Sequence, residues 1–502
     1  MRLLTGTILI CACSAQAFQP ATLDLAGQAQ REFYAGRSGY AAILFQKLID
    51  QDPAQGEPYY GLVRALVRDH KSHDAYTIAE QALQKAPQTA SAQAAAGFAA
   101  FRRGDVTQAE QYYLAAIKID PKNPGALVGL SSIYSMVSKF KLARQLTLEA
   151  YKYAPDDPGL RMAQANSLKG DEHIAALEKI LALYDPESDR ARGLRAHIAI
   201  DRAVGNRKVR TLTSPYESSS IRLVRLMDGP RNVRGVGLHV RFNDRENATL
   251  LLDTGASGIS LSPKLAEKAG LEVLGHESSE MKGIGDERGQ DTLEYLASEV
   301  HVGDVRFANY PITVFRSAKS SEFDGLIGAD VFQRFIIGID FQDMEVTLDP
   351  RPKVDLAETE DPEDADNKPA PGFYRALRFG DHLTIFTAVN EHPPRLFLID
   401  SGSSSNLIDE DVARDSSAVH RDDRVQVRGI QGKVEKSSLA DHVSLVFAGF
   451  RYDNPNLIAI NFDKINDSAG VGVAGIVGMP VLGQLKLTID YRNGTVRFEH
   501  KK

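Results

Sequence analysis

The sequence predicts a multidomain protein with an N-terminal all-α solenoid, followed by a C-terminal, mainly-β pair of barrels that form two lobes. Three observations lead to this prediction. The chain of 502 residues is too long for one hydrophobic core, because a domain commonly holds about 150 residues. Small residues and prolines recur with one period in the first part of the chain. Two similar series of short, alternating apolar runs then follow, which is typical of β-strands.

The composition is that of a globular protein, with 43% hydrophobic and 25% charged residues. The net charge of −7 provides no general attraction to phosphate backbones, so we expect no nucleic acid partner. Beyond the N-terminus no stretch reaches the roughly 18 consecutive apolar residues of a membrane span. We therefore expect no transmembrane helix in the mature chain.

Residues 1–17, "MRLLTGTILICACSAQA", have the pattern of a signal peptide: one arginine, an apolar run from Leu3 to Cys13, and an A-x-A site. This pattern predicts export to the periplasm or the extracellular space, with cleavage after Ala17. A buried N-terminal helix is one alternative, and a lipid anchor on Cys13 is another. Because Cys11 and Cys13 both lie in this segment, cleavage after Ala17 would leave a mature protein without thiols or disulfides.

The period of the solenoid is 34 residues, shared by several positions. The repeated positions are Pro53, Pro87, Pro121 and Pro155, then Ala41, Ala75, Ala109 and Ala143, and then Ala82, Ala116 and Ala150. Small residues at Gly61, Ala95 and Gly129 keep the same step, where two helices must approach closely. Each unit is therefore a helix pair ended by proline, and neighbouring units must stack to bury their apolar faces.

These repeats resemble the tetratricopeptide repeat (TPR) family over about residues 40–160. The first unit reads as partial, with only its second helix evident. A less regular segment, "HIAALEKILALYDP", is expected to cap the array near residue 205, which gives a helical domain over residues 25–205. The resemblance implies a concave surface for a peptide or protein partner. The alternative is a spacer or structural platform, because the sequence names no ligand.

Short alternating runs predict strands in two lobes, over residues 220–350 and 373–500. Residues 351–372, rich in acid, proline and alanine, predict an exposed linker. The lobes share motifs: "LLLDTGASG" places Asp253 as "LFLIDSGSSS" places Asp400, with an offset of 147 residues. Gly285 and Gly432 keep this offset, and "DGLIGADVF" later matches "AGIVGMPVL". The two lobes are therefore a tandem duplication.

The two lobes resemble the retropepsin-like aspartic proteases, in which D-[ST]-G precedes a glycine-rich flap and then an apolar-apolar-Gly segment. The resemblance covers about residues 220–500 and implies an acid-protease-like bilobal barrel pair in one chain. It also implies that Asp253 and Asp400 are catalytic, that no cofactor is needed, and that the substrate is a protein or peptide. The twelve histidines show no HExxH spacing, so no metal is expected.

Two carboxyl groups brought together at strand ends cannot both ionise easily, so they share one proton. The ionised member can then deprotonate a water molecule held between them. The protonated member can donate a hydrogen bond to the substrate carbonyl and stabilise the oxyanion. Because one aspartate acts as base and the other as acid, the chemistry requires both.

The residues that support the dyad are Thr254, Gly255, Ser401, Gly402 and Ser403. By resemblance, the two hydroxyl residues after the aspartates would cross-brace the loops, and the glycines would permit a tight turn. The hydroxyl of Ser403, which is alanine in the other lobe, is expected to hydrogen-bond Asp400 and favour its charged form. We therefore expect Asp400 to be the more readily ionised aspartate.

The expected flaps carry Gly283 and Gly285 in the first lobe and Gly429 and Gly432 in the second. Glycines permit a hairpin that opens and closes over an extended peptide; ordinary surface hairpins are the alternative. The favoured hypothesis is an exported aspartic endopeptidase whose helical repeats recruit protein substrates. The rival is a non-catalytic binding scaffold in which the repeats do the work.

Overall fold

The computed structural model describes residues 24–228, 232–277, 292–315, 324–351, 368–422, 425, 427–429, 432–434 and 436–500. The predicted signal peptide, including Cys11 and Cys13, lies outside these residues. The predicted first flap with Gly283 and Gly285, and residues 352–367 of the predicted linker, also lie outside them.

Residues 25–204 form eleven consecutive helices that pair as α1/α2, α3/α4, α5/α6, α7/α8 and α9/α10, with α11 last. Their bounds are α1 (Leu25–Tyr34), α2 (Ser38–Gln51), α3 (Glu57–Arg68), α4 (Ser72–Lys85), α5 (Ala90–Arg102), α6 (Val106–Ile119), α7 (Pro124–Met136), α8 (Phe140–Tyr153), α9 (Pro158–Asn166), α10 (Gly170–Leu181) and α11 (Asp189–Val204). The prolines of the 34-residue step follow the second helix of each of the first four pairs.

Close contact between helices explains why small residues share the period. Ala41, Ala75 and Ala109 are completely buried. A Cβ atom at Gly61 would lie 2.4 Å from the ring of Phe45, so no larger residue fits there without movement. The expectation of a partial first unit is wrong, because α1 supplies its first helix. That helix, "LAGQAQREFY", is short and lies before the first repeated alanine, Ala41.

Lobe 1 follows the helical array, and its described residues form strands β1 to β12, helix α12 and one 3-10 turn. The elements are β1 (Thr211–Leu212), β2 (Ser219–Arg222), β3 (Val224–Asp228), β4 (Asn232–Phe242), β5 (Glu246–Asp253), β6 (Ile259–Leu261), α12 (Pro263–Lys268), β7 (Glu272–Glu277), β8 (Thr292–Val302) and β9 (Val305–Phe315), then β10 (Gly325–Gly328), a 3-10 turn (Ala329–Phe332), β11 (Phe335–Asp340) and β12 (Glu345–Pro350).

Lobe 2 repeats much of this arrangement. Its elements are β13 (Tyr374–Arg375), β14 (Leu377–Phe379), β15 (His382–Val389), β16 (Arg395–Ile399), β17 (Leu407–Asp409), α13 (Glu410–Ser416), β18 (Val419–Arg421), β19 (Arg428–Gly429), β20 (Gly432–Lys433), β21 (Ser438–Phe447), β22 (Phe450–Ile460), α14 (Asp463–Ala469), β23 (Gly475–Val477), α15 (Met479–Leu482), β24 (Leu485–Asp490) and β25 (Thr495–His500).

Each lobe is built on its own large sheet, and a third sheet joins them. The first sheet runs β1-β9-β6-β10-β5-β4-β8-β7, with β3 beside β4, and the second runs β14-β15-β16-β23-β17-β22-β21-β18. The joining sheet runs β13-β25-β24-β11-β12-β2, and its centre pairs Ile337 with Ile489. One apolar core continues through both lobes. The predicted fold class, a helical solenoid followed by a bilobal barrel pair, is confirmed.

The helical array packs directly on lobe 2. Arg102 forms a salt bridge of 2.8 Å with Asp467, and Arg395 forms one of 2.6 Å with Asp105. Leu396 and Val471 of lobe 2 join the apolar cluster of helices α5 to α7. Among the described residues, no helix combines the length and hydropathy that crossing a bilayer requires.

Candidate active site

The two aspartates of the D-[ST]-G motifs stand at the ends of central strands. Asp253 is the last residue of β5, and Asp400 directly follows β16. Strand β5 pairs in parallel with β10, which places Gly328 beside Asp253, and β16 pairs in parallel with β23. The residues just before each aspartate, Leu250 to Leu252 and Leu396 to Ile399, are apolar and buried, as is typical of strands covered on both faces. The polar groups therefore appear where the strands end.

Two buried hydroxyl groups tie the aspartate loops together. The Thr254 hydroxyl donates to the Ile399 carbonyl at 2.8 Å and accepts from the Ser401 N–H at 2.9 Å. The Ser401 hydroxyl donates to the Leu252 carbonyl at 2.9 Å and accepts from the Thr254 N–H at 3.1 Å. Each hydroxyl thus uses its donor and one lone pair across the lobe boundary. This reciprocal bracing fixes the separation of the two strand ends.

Each aspartate carboxyl lies against the glycine of the opposite loop. A Cβ atom at Gly255 would lie 2.7 Å from Cγ of Asp400, and one at Gly402 would lie 2.4 Å from Cγ of Asp253. Both positions therefore exclude every side chain. The Gly255 and Gly402 N–H groups each donate to the aspartate of their own loop at 2.8 Å. The two carboxyl groups also hydrogen-bond each other.

Burial raises the pKa of both aspartates, more strongly for Asp400. The pKa of Asp400 lies well above its ordinary value because burial, repulsion from Asp253 and the hydrogen bond between the carboxyls all favour its protonated form. The two carboxyl groups therefore share one proton. The contact on which the expected order of ionisation was based is absent. The Ser403 hydroxyl donates instead to the Ser405 carbonyl at 2.8 Å, and only the Ser403 backbone N–H reaches Asp400, at 3.0 Å.

Comparison with known proteins agrees with this geometry. Residues 238–331 and 387–481 each match the family model described as aspartyl protease. The C-terminal half is a tandem pair of aspartyl protease-like lobes. Each matched segment contains one aspartate of the dyad, its supporting loop and the later apolar-apolar-Gly motif.

Two solved structures also align with the chain. The aspartic proteinase from Irpex lacteus aligns with a TM-score of 0.37 and 11% identity, over 57% of this chain and 98% of that one. A chain of the APC/C hetero-tetramer Cut9–Hcn1 aligns with a TM-score of 0.30 and 16% identity, over 36% of this chain and 35% of that one. No curated protein sequence matches this one significantly.

A histidine that sequence reasoning missed lies beside the aspartyl protease-like dyad. His382 begins β15, and its ring lies tilted against that of Phe379 at 5.0 Å between centroids. Burial lowers the pKa of His382, although the charge of Asp253 acts in the opposite direction. Its Nδ1 atom is buried without a hydrogen-bond partner among the described residues. Comparison of the two lobes did not indicate this histidine, since the matching position in lobe 1 is Gly235.

A second missed residue, Asp330, supports the loop that follows the lobe 1 dyad motif. It is 1% exposed, and the Gly258 N–H contacts its two carboxyl oxygens at 2.9 and 3.0 Å. Burial, with repulsion from Asp381, raises the pKa of Asp330 to about 7. Lobe 2 bridges the corresponding loops with a neutral amide, since Asn406 accepts from the Gly478 N–H at 2.9 Å. The acid in "GLIGAD", directly after the shared motif, was the available signal.

A short hairpin lies at the position of the expected second flap. Strands β19 and β20 pair Arg428 with Lys433 and Gly429 with Gly432. The two residues that connect them lie outside the described part of the chain. The substrate-contacting role of this hairpin remains a prediction, as does that of the first flap.

Proposed function

We propose that this protein is an aspartic-type endopeptidase that hydrolyses peptide bonds with water activated between Asp253 and Asp400. The observation that carries the proposal is the close approach of two half-buried carboxyl groups, on loops held together by the Thr254 and Ser401 hydroxyls. Such a pair contains a base and an acid at the same pH. This arrangement is what hydrolysis without a covalent intermediate requires.

In the proposed reaction, the Asp253 carboxylate removes a proton from water as the water oxygen bonds to the scissile carbonyl carbon. Asp400 donates its proton to the carbonyl oxygen, which stabilises the tetrahedral intermediate. The proton on Asp253 then passes to the amide nitrogen as the C–N bond breaks, while Asp400 regains its proton. The products are one carboxyl group and one amine, so each turnover consumes one water.

His382 sets the electrostatic environment of the proposed base. Because burial lowers its pKa, the imidazole is neutral at the neutral end of the pH range and does not neutralise the Asp253 carboxylate. A cation at this position would favour the ionised carboxylate and weaken it as a base. The arrangement therefore supports a basic Asp253 beside a protonated Asp400.

We further propose that the helical array recruits the protein substrate or a protein partner. A cavity of about 1100 Å³ lies on the array, lined by residues that include Phe33, Tyr60, Glu57, Arg64, Arg68, Asp157 and Arg190. Burial and the nearby charges of Arg64 and Arg190 lower the pKa of Arg68. The charged residues named here are three arginines and two acids, so this part of the cavity lining is positive overall. A positive lining favours an acidic peptide segment.

Export remains part of the proposal, based on residues 1–17 with their A-x-A site, and it leads to a periplasmic or extracellular protease. A lipid anchor on Cys13 is the alternative form of the same localisation. Mass spectrometry of the N-terminus of the secreted protein distinguishes the two, because cleavage after Ala17 leaves Phe18 first, whereas the anchored form begins with a modified cysteine.

The test is digestion of a peptide library by the full-length protein and by Asp253→Asn. We expect the near-isosteric variant to lose cleavage by about 10²–10⁴-fold, the usual worth of a general acid or base. Asp304→Asn, at an exposed turn of the same lobe, is the matched control and should cleave normally. A statine-type transition-state analogue should block the wild type.

The rival function predicts another result. If no peptide is cleaved at any pH from acid to neutral, while Asp253→Asn binds the same partners as the wild type, the chain is a scaffold. A narrow processing enzyme would still bind the transition-state analogue, with affinity that depends on both aspartates. That binding separates a selective protease from a scaffold.

A further inference from the structure

The last two helices of the array bring two histidines and one aspartate together. His173 lies on α10, and His197 and Asp201 lie one turn apart on α11. Their three ligand-type atoms are all within 4.8 Å of one another. The Oδ2 atom of Asp201 lies 3.3 Å from Nε2 of His173 and 3.5 Å from Nε2 of His197. This cluster has no part in the proposed hydrolysis.

The separations in this cluster suit a metal ion better than hydrogen bonds. Within the described residues, Oδ2 of Asp201 is buried and has no hydrogen-bond partner, although both imidazoles face it. Zn²⁺ binds nitrogen and oxygen at about 2.0–2.1 Å, so ligand atoms of a tetrahedron lie about 3.3 Å apart. The two measured separations are close to that edge length. An unpaired buried carboxylate oxygen is also costly unless something positive compensates it.

The imidazole of His173 is already held in the form that can bind a metal through Nε2. Its Nδ1 lies 2.8 Å from the Ala165 carbonyl oxygen, which can only accept a hydrogen bond. Nδ1 must therefore carry a proton, and in the neutral ring Nε2 has the lone pair that a metal ion binds. A backbone carbonyl that fixes the tautomer in this way is a common outer partner of metal-binding histidines.

A second cluster of similar composition lacks these properties and serves as a comparison. Asp244, Glu299 and His301 also lie close together. There, however, Nη2 of Arg241 lies 2.8 Å from Asp244 and 3.2 Å from Nδ1 of His301. The guanidinium already supplies the positive charge and engages the ring nitrogen. This second cluster is therefore a solvated ion-pair group.

We propose that His173, His197 and Asp201 form a binding site for a divalent first-row transition metal, best matched by Zn²⁺. Two imidazoles and one carboxylate suit Zn²⁺, whereas Ca²⁺ and Mg²⁺ prefer sites made of oxygen alone. Three protein ligands leave one position of a tetrahedral ion open. Because His197 also lines the cavity of the array, the ion lies at the cavity rim. Its open position is available to water or to a carboxylate of a bound segment.

Calorimetric titration of the untagged full-length protein with ZnCl₂ tests the site. We expect one ion per chain in the wild type and a loss of affinity of more than about tenfold in His197→Asn, since even outer-shell changes cost about 10–100-fold. The side chain of His197 is 52% exposed, so this variant should fold. His301→Asn, in the comparison cluster, is the matched control and should retain wild-type affinity.

Substitution with Co²⁺ gives a second readout that needs no variant. Tetrahedral Co²⁺ bound to imidazole nitrogen shows strong visible absorption, whereas loosely held octahedral Co²⁺ shows almost none. The proposal is overturned if the wild type binds no Zn²⁺, or if His197→Asn and His301→Asn bind it equally well. Asp253→Asn should bind Zn²⁺ normally, so this result is independent of whether the dyad is catalytic.

Discussion

Thr254 and Ser401 exchange hydrogen bonds across the boundary between the lobes, with each hydroxyl accepting from the backbone N–H of the other residue at 2.9 and 3.1 Å. Both side chains are essentially inaccessible to solvent. The position of each aspartate therefore depends on a hydroxyl from the opposite copy of the motif. Loss of either hydroxyl should affect both stability and catalysis.

The first prediction concerns this bracing. Thr254→Val preserves shape but removes a hydroxyl, leaving the Ser401 N–H and the Ile399 carbonyl without their partner. Each unsatisfied buried group costs about 1–3 kcal/mol, so we expect the free energy of unfolding in urea to fall by that order. The rate constant kcat should fall with it. Thr254→Ser, which lobe 2 uses naturally, should retain both; equal behaviour of the two variants would contradict the role of the hydroxyl.

The second prediction concerns the pH dependence of kcat/KM. Because burial raises the pKa of both aspartates, activity should be lost as the pH rises and the pair gives up its shared proton. It should also be lost in acid, where both carboxyl groups become protonated, giving a bell-shaped profile. The limbs belong to the pair and not to single residues.

Ser403→Ala provides the sharper form of this test. Its hydroxyl donates to Ser405 and not to Asp400, and the variant retains the backbone N–H that does reach the carboxyl. We expect both limbs of the kcat/KM profile to stay at the wild-type pH. A shift of either limb by Ser403→Ala would instead support direct contact between the hydroxyl and the dyad.

The repeats and the dyad motif were predictable for different physical reasons. In the helical array each unit contacts its neighbours, so the packing constraint at Gly61 and Gly129 recurs at a fixed step in the sequence. In the lobes, the duplication places Asp253 and Asp400 in matching settings, which distinguishes them from chance D-[ST]-G triplets.

The remaining features depend on tertiary contacts that leave no repeated pattern in the sequence. His382 approaches Asp253 from the opposite lobe, at a position where the other copy has glycine. The Ser403 hydroxyl donates to the Ser405 carbonyl of its own turn. His197 and Asp201 show helical spacing, but His173 comes from another helix, so the cluster exists only after packing.

The third prediction concerns stability and Asp330. Its pKa of about 7 in the folded protein exceeds the ordinary 3.8, so its contribution to stability is fully present below about pH 4. That contribution is lost as the pH rises through about 7. Since one pKa unit corresponds to about 1.4 kcal/mol, the loss is at most about 4 kcal/mol.

Urea unfolding at pH 5 and pH 8 measures this effect. Asp330→Asn can still accept from the Gly258 N–H, so it should shrink the difference between the two pH values. The reciprocal change, Asn406→Asp, places a carboxyl at the neutral bridge of lobe 2 and should enlarge that difference. An unchanged pH dependence in Asp330→Asn would show that this carboxyl is not protonated in the folded state.

The fourth prediction concerns the docking of the array on lobe 2. A Cβ atom at Gly472 would lie 2.5 Å from the backbone carbon of Arg103 and 2.7 Å from the Arg102 carbonyl oxygen. Backbone cannot move aside cheaply, so Gly472→Ala should separate α5 from lobe 2 and weaken the salt bridge between Arg102 and Asp467. In the wild type we expect the unfolding of the array to be coupled to that of the lobes. In Gly472→Ala we expect calorimetry to show two separate unfolding transitions. Gly39→Ala, where a Cβ meets nothing closer than 3.8 Å, controls for the substitution itself.

If docking also positions the recruited substrate, Gly472→Ala should raise KM for a protein substrate and leave kcat/KM for a short peptide unchanged. Equal effects on both substrates would place the defect in the dyad instead of in recruitment.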